Sequence, residues 1–171
     1  MLAPVLMVAP ILIVAVGNES RGDDALGPLL LRKLNDELAN KDDADQFELL
    51  EEFQLQVEHA MDMHGRQLVL FIDAGMNTQD PFAFYRAQPS DSAVLYSHAL
   101  APEALLQVYM QLYQEVPPEV FVLCIRGEQF ELGEELTPQA VERLALAFEF
   151  SKKLLQERVV TGWKNLCASK C

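Results

Sequence analysis

Basic residues are scarce in this chain. Thirteen Lys and Arg face 26 Asp and Glu, giving a formal net charge of −13. A phosphate backbone would be repelled by that field, which argues against nucleic acid as a partner. Cysteine is scarce as well: Cys124, Cys167 and Cys171 form an odd set, and no disulfide framework is suggested. Cys124 lies inside an apolar run and is expected in the core, where free cysteine packs as a small hydrophobe. Cys167 and Cys171 belong to the tail KNLCASKC. Two thiols make an incomplete metal site, and residues 160–171 are expected to fray.

Long apolar runs are also missing. The opening MLAPVLMVAPILIVAVG offers about 16 apolar residues where a membrane helix needs ~20. It has no basic leader and is broken by Pro4 and Pro10, so neither a signal peptide nor a membrane span is expected. Residues 1–10 are read as a short apolar extension, and the chain as cytoplasmic. Several chemical signatures are lacking too. Neither G-x-G-x-x-G nor a G-K-[ST] loop is present, and H-E-x-x-H and G-x-S-x-G are absent. Dinucleotide, Walker-type, zincin and α/β-hydrolase readings therefore lose their support.

What the chain does have is apolar residues, half of its 171, enough for one domain-sized core over residues 1–171. Apolar runs of strand length alternate with segments of helical period. That pattern predicts an α/β, three-layer domain: a mostly parallel, twisted sheet of about five strands with helices on both faces. Strands are expected at Ile11–Val16, Phe47–Phe53, Leu68–Ile72, Phe82–Gln88 (an antiparallel edge) and Val120–Ile125. A helix is expected over Ala25–Ala39, with Leu26, Leu30, Leu34 and Leu38 on one stripe. Others are expected near Val57–His64, over Pro102–Gln114, and after Thr137-Pro138, where Val141, Leu144, Ala145 and Phe148 would form the apolar face.

In such sheets ligands bind beyond the carboxyl ends of the strands, near the switch in strand order. The residues there are acidic. Gly17-Asn18-Glu19-Ser20-Arg21-Gly22-Asp23-Asp24 follows the first strand, and Asp73 follows the third. Two carboxylates at a helix start would repel phosphate, which disfavours a flavodoxin-like nucleotide module. Only one of the pair can cap the helix, a role expected of Asp23, which leaves Asp24 to face the crevice with Asp73. Of the histidines, His59 and His64 fall within an expected helix, whereas His98 lies in a loop and is eligible for a site. Two carboxylates and an imidazole make a mixed oxygen–nitrogen set compatible with zinc, nickel or manganese.

These residues resemble a known family. ILIVAVGNESRGDDALG, LVLFIDAG, SHALAPEALL and IRGEQFELGEELT stand in the order and spacing of the nickel-iron hydrogenase maturation proteases. The likeness spans about residues 11–150. FQLQVEHAMDMHGR is similar to the branch serving cytoplasmic NAD-linked or sensor-type hydrogenases. The resemblance implies an endopeptidase that reads nickel already inserted in the precursor large subunit and removes its C-terminal extension. Asp24, Asp73 and His98 would contact the metal and carry the catalysis. Asn18 would hold the loop, and Asp23 would cap the helix or support the site from behind. The nickel would come with the substrate, and no organic cofactor is implied. Two departures stand out: Ala25 replaces a glycine common in the family, and FQLQVEH replaces a Gly-Thr-rich stretch, so Gln54 and Gln56 are candidates for a different substrate groove. A nonenzymatic nickel-handling or chaperone-like protein on the same fold is the alternative.

Overall fold

The computed structural model describes residues 7–90 and 100–167. Five strands form one sheet: β1 (Ile11–Val16), β2 (Phe47–Glu52), β3 (Leu68–Gly75), β4 (Phe82–Arg86) and β5 (Glu119–Arg126), in the order β2-β1-β3-β5-β4. β1 pairs in parallel with β2 and β3, and β3 with β5, while β4 closes one edge antiparallel to β5. β1, ILIVAV, is buried along nearly its whole length, as a central parallel strand covered on both faces must be.

Alternation along the strands builds the three layers. Ile11, Ile13, Leu68, Leu70, Phe121 and Leu123 face a core shared with α1 (Leu26–Leu38), α4 (Pro138–Gln156) and α5 (Val160–Leu166). Leu12, Val14, Val69, Phe71, Val120 and Val122 face the opposite way, toward α2 (His59–Met63) and α3 (Pro102–Tyr113). The expected α1 stripe is borne out: Leu26, Leu30, Leu34 and Leu38 are all buried, each worth about 1.5–3 kcal/mol of apolar burial.

Four expectations are corrected. The apolar face assigned to α4 is rotated: Val141 is exposed and Ala145 is outside the core. Ala140, Leu144, Ala147, Leu154 and Leu155 pack inward instead. The chosen set followed local hydrophobicity, while the docking of α4 on α1 and β5 selects the neighbouring stripe. The frayed tail over residues 160–171 is, over Val160–Leu166, helix α5. Trp163 anchors it, fully buried, meeting Phe121 edge-on at 5.4 Å and donating its indole N–H to the Leu154 carbonyl at 3.1 Å. One tryptophan thus docks a helix whose other residues are largely polar or exposed. Cys167 is disulfide-bonded, contrary to the expectation of a chain without disulfides; Cys171 lies outside the described residues. Finally, β3 runs past the expected Ile72 to Gly75, because β5 continues alongside it and pairs Asp73 with Cys124 and Gly75 with Arg126. Among the described residues, no helix is long and apolar enough to cross a membrane.

Candidate active site

The switch in strand order falls between β1 and β3: the first crossover leads from β1 to β2 on one side, and the chain then returns across β1 to β3. Both acid-bearing segments end there. β1 leads into Gly17, whose backbone lies so near the Asp24 carbonyl that a Cβ would come within 2.1 Å of that oxygen. No side chain fits, so glycine is required for the loop to fold back over the strand. Gly27 serves likewise at the start of α1, where a Cβ would press on the Val16 carbonyl oxygen at 2.5 Å. These two close approaches bring the helix start down onto the ends of β1 and β3.

The loop is fixed by its own polar groups. The Asn18 side-chain oxygen accepts the Ser20 N–H at 2.9 Å, and the Asn18 backbone N–H donates to Asp24 Oδ2 at 2.9 Å. The side chain of Asn18 thus holds the loop, and its backbone holds the Asp24 carboxylate.

Asp23 and Asp24 have opposite fates. Asp23 is fully buried. Its Oδ2 accepts from Glu128 N–H at 2.7 Å, Gln129 N–H at 3.3 Å and the Thr137 hydroxyl at 2.8 Å, and its Oδ1 accepts from Thr137 N–H at 2.8 Å. It does not cap α1, whose N-terminus has no side-chain cap. Instead it ties the β1–α1 turn to the connection between β5 and α4. Asp24 is half-buried, and burial raises its carboxyl above the usual range, against the lowering effects of the Asn18 N–H and of Arg21.

Asp73 sits on β3, with Oδ1 accepting the Ala74 N–H at 2.8 Å. Burial above all, with the charge of Asp24 added and the Ala74 N–H opposing both, leaves its pKa pushed up to about 7. Two carboxylates in one crevice, one of them poised near neutrality, can serve as hard metal ligands or as a general base toward water. Among the described residues no group of three His, Cys, Asp or Glu is gathered as a metal site.

His98 lies outside the described residues. Two positions further on, Leu100 returns to the Asp73 side and donates its N–H to the Leu55 carbonyl at 3.4 Å. His59 is buried, its Nδ1 accepting the Gln56 N–H at 2.8 Å and its Nε2 standing 3.5 Å from Glu52. It is a packed histidine, in keeping with its expected place on a helix. Gln54 and Gln56 do not line the cavity beside Asp73; Leu55 between them does.

That cavity, about 240 Å³, has Val16, Leu55, Phe71, Val122 and Cys124 among its walls. Cys124, expected in the core, is only partly buried and lies 3.0 Å from the Thr78 hydroxyl. Burial raises its thiol pKa, the Thr78 contact lowers it and Asp73 raises it again. Tyr85 borders the same space, its phenol pushed up to about 12 by burial first and then by the charges of Glu103, Cys124 and Asp73. Neither residue carried a sequence signal, because only the register of β5 against β3 and β4 brings them to Asp73.

No protein-family model matches the sequence, and no curated protein sequence matches it. Solved structures do. A [NiFe] hydrogenase maturation protease, HycI, from Thermococcus kodakarensis KOD1 superposes with a TM-score of 0.64 at 22% identity, covering 86% of this chain and 93% of that one. The hydrogenase maturating endopeptidase HybD from E. coli gives 0.65 at 21%, with 86% and 93% covered. The endopeptidase HycI from Escherichia coli gives 0.61 at 19%, with 85% and 90% covered. Along most of its length, then, this chain has the α/β fold of the nickel-iron hydrogenase maturation proteases.

Proposed function

We propose that the protein is an endopeptidase of hydrogenase maturation, one that recognises nickel in the precursor large subunit of a nickel-iron hydrogenase and removes its C-terminal extension. The observation that carries this reading is the pairing of Asp24 and Asp73 at the strand-order switch, on a fold similar to that of named maturation endopeptidases. In this reading nickel belongs to the substrate. Asp24 and Asp73, with His98 completing the set, add ligands to the metal and so hold the cleavage segment in place. Fixing the metal fixes the peptide attached to it, which converts an encounter between two proteins into a local reaction. Asp73, with a pKa near neutrality, suits a group that must lose a proton to bind a cation or to accept one from water. Asn18 keeps Asp24 aimed, and Asp23 braces the turn from behind. The acidic surface suits a basic partner, and a cytoplasmic hydrogenase of the NAD-linked or sensor type is the partner class we favour.

The test is to mix the protein with nickel-loaded and nickel-free precursor and weigh the products. A mass loss at the precursor's C-terminus that requires nickel is the expected result. Loaded precursor that keeps its mass overturns the protease reading, and nickel-dependent binding without cleavage would favour a nonenzymatic nickel-handling protein instead.

A further inference from the structure

We infer that Tyr85 is a catalytic residue of this site: its hydroxyl donates a hydrogen bond to the carbonyl oxygen of the scissile peptide and holds the negative charge that gathers there as water adds. The inference rests on the endopeptidase reading and deepens it by naming the donor that the cleavage needs.

Strand register supplies the position. Tyr85 on β4 pairs with Val122 on β5, and Val122 pairs with Phe71 on β3. Cross-strand partners share a face, so these three form one row on the α2/α3 side of the sheet. The next row toward the carboxyl ends holds Asp73 and Cys124, and Ala83 completes it on β4. A methyl group in that place leaves open the interval between the carboxylate on β3 and the phenol on β4. The two backbones lie two strand spacings apart, about 10 Å. Asp73 and Tyr85 both border the cavity of about 240 Å³ that occupies this interval. A peptide group held against Asp73 on one side meets the phenol on the other.

Chemistry then singles out Tyr85. Hydrolysis of a peptide gathers charge on the carbonyl oxygen, and a donor fixed where that charge develops is among the largest catalytic contributions. Ionised Asp73 is an acceptor and would repel that oxygen. The Cys124 thiol is a weak donor and already lies 3.0 Å from the Thr78 hydroxyl. The side chains of Leu55, Phe71 and Val122 carry no donor. The Tyr85 hydroxyl is left. Among the described residues it makes no hydrogen bond, and at 38% exposure the residue is open to an incoming peptide. Its raised pKa of about 12 keeps the O–H in place at neutral pH. In the reaction, the oxygen of water bonds to the carbonyl carbon while its proton passes to the Asp73 carboxylate. The π electrons of the carbonyl move onto the oxygen that Tyr85 holds. When they return, the C–N bond breaks and the amine leaves with the proton from Asp73. Tyr85 gives up no proton at either step.

Tyr85→Phe keeps the ring and removes only the donor. Processing of nickel-loaded precursor at limiting and saturating concentrations separates kcat from KM. The expected result is a kcat lower by about 10²–10³-fold, with KM within about threefold of the parent's. A thermal melt matching the parent's shows that the variant folds. A kcat within about threefold of the parent's, or a loss carried entirely by KM, overturns the assignment of Tyr85 and leaves the endopeptidase standing. A parent protein that leaves nickel-loaded precursor uncut overturns the endopeptidase reading and the assignment with it.

Discussion

The two faces of the sheet are built to different standards. One is covered by α1 of 13 residues, α4 of 19 and the anchored α5, which share a single large core. Among the described residues, the other carries α2, five residues long, and α3. The thick face is filled, and at its end Asp23 is held by hydrogen bonds from Glu128, Gln129 and Thr137. The thin face leaves a gap at the carboxyl ends of the strands, and the perturbed carboxylate Asp73 stands in it. Packing that is complete on one side permits incompleteness on the other, because buried apolar area on one face can offset a site that costs stability. Mutations on the thick face should therefore lower stability, and mutations at the gap should lower activity with stability unchanged or raised.

The largest expected effect tests the thick face. Trp163→Ala removes the anchor of α5 and should destabilise the fold by about 3–5 kcal/mol, read as a drop in the urea midpoint. A loss below about 1 kcal/mol would mean that α5 is not part of that core.

Next comes the gap. Asp73→Asn should slow processing at least about 100-fold, measured on nickel-loaded precursor, and yet melt at a higher temperature than the parent above neutral pH. The sign follows from the raised pKa. From the ordinary 3.8 to about 7, a carboxyl whose folded-state pKa is elevated contributes stability that is full below about pH 4. That contribution is lost as the pH rises through 7. Asparagine does not titrate, so its advantage in melting temperature should grow from pH 4 to pH 8. An advantage constant with pH would show that Asp73 is not buried as described.

Thr137→Val strikes the tie between the two halves of the site. The Thr137 hydroxyl donates to Asp23 and accepts the Ala140 N–H at 3.2 Å as the cap of α4. Losing both should cost about 1–2 kcal/mol, seen in chemical denaturation, with processing reduced only as far as the loop loosens. Smallest of all, Arg32→Ala breaks exposed ion pairs to Glu19 and Glu51 and should change stability by less than about 1 kcal/mol. A larger change would mean that charge on the rim, and not packing, holds the loop.

Much of this was legible in the residues. Period and composition sufficed for the α/β layers, the strand centres and the α1 stripe, because apolar spacing is a local property. The acidic pair, Asp73 and the location of the crevice followed from the βα pattern, since the carboxyl ends of parallel strands gather whatever follows them. The division of Asp23 from Asp24 was anticipated, but not the means: the donors that hold Asp23, from Glu128, Gln129 and Thr137, lie more than 100 positions away. Nor was α5, because a lone tryptophan in a polar tail becomes an anchor only when Phe121 and Leu154 meet it.

The sequence by itself thus determined the layers, the crevice and the acids that border it, all of which follow from short-range order along the chain. Only the tertiary structure decided what braces Asp23, that Cys124 and Tyr85 join Asp73, and that an apolar cavity opens beside it. Each of these depends on strand register, and register is set by contacts between residues far apart in sequence, where a shift of one position would turn Asp73 to the other face.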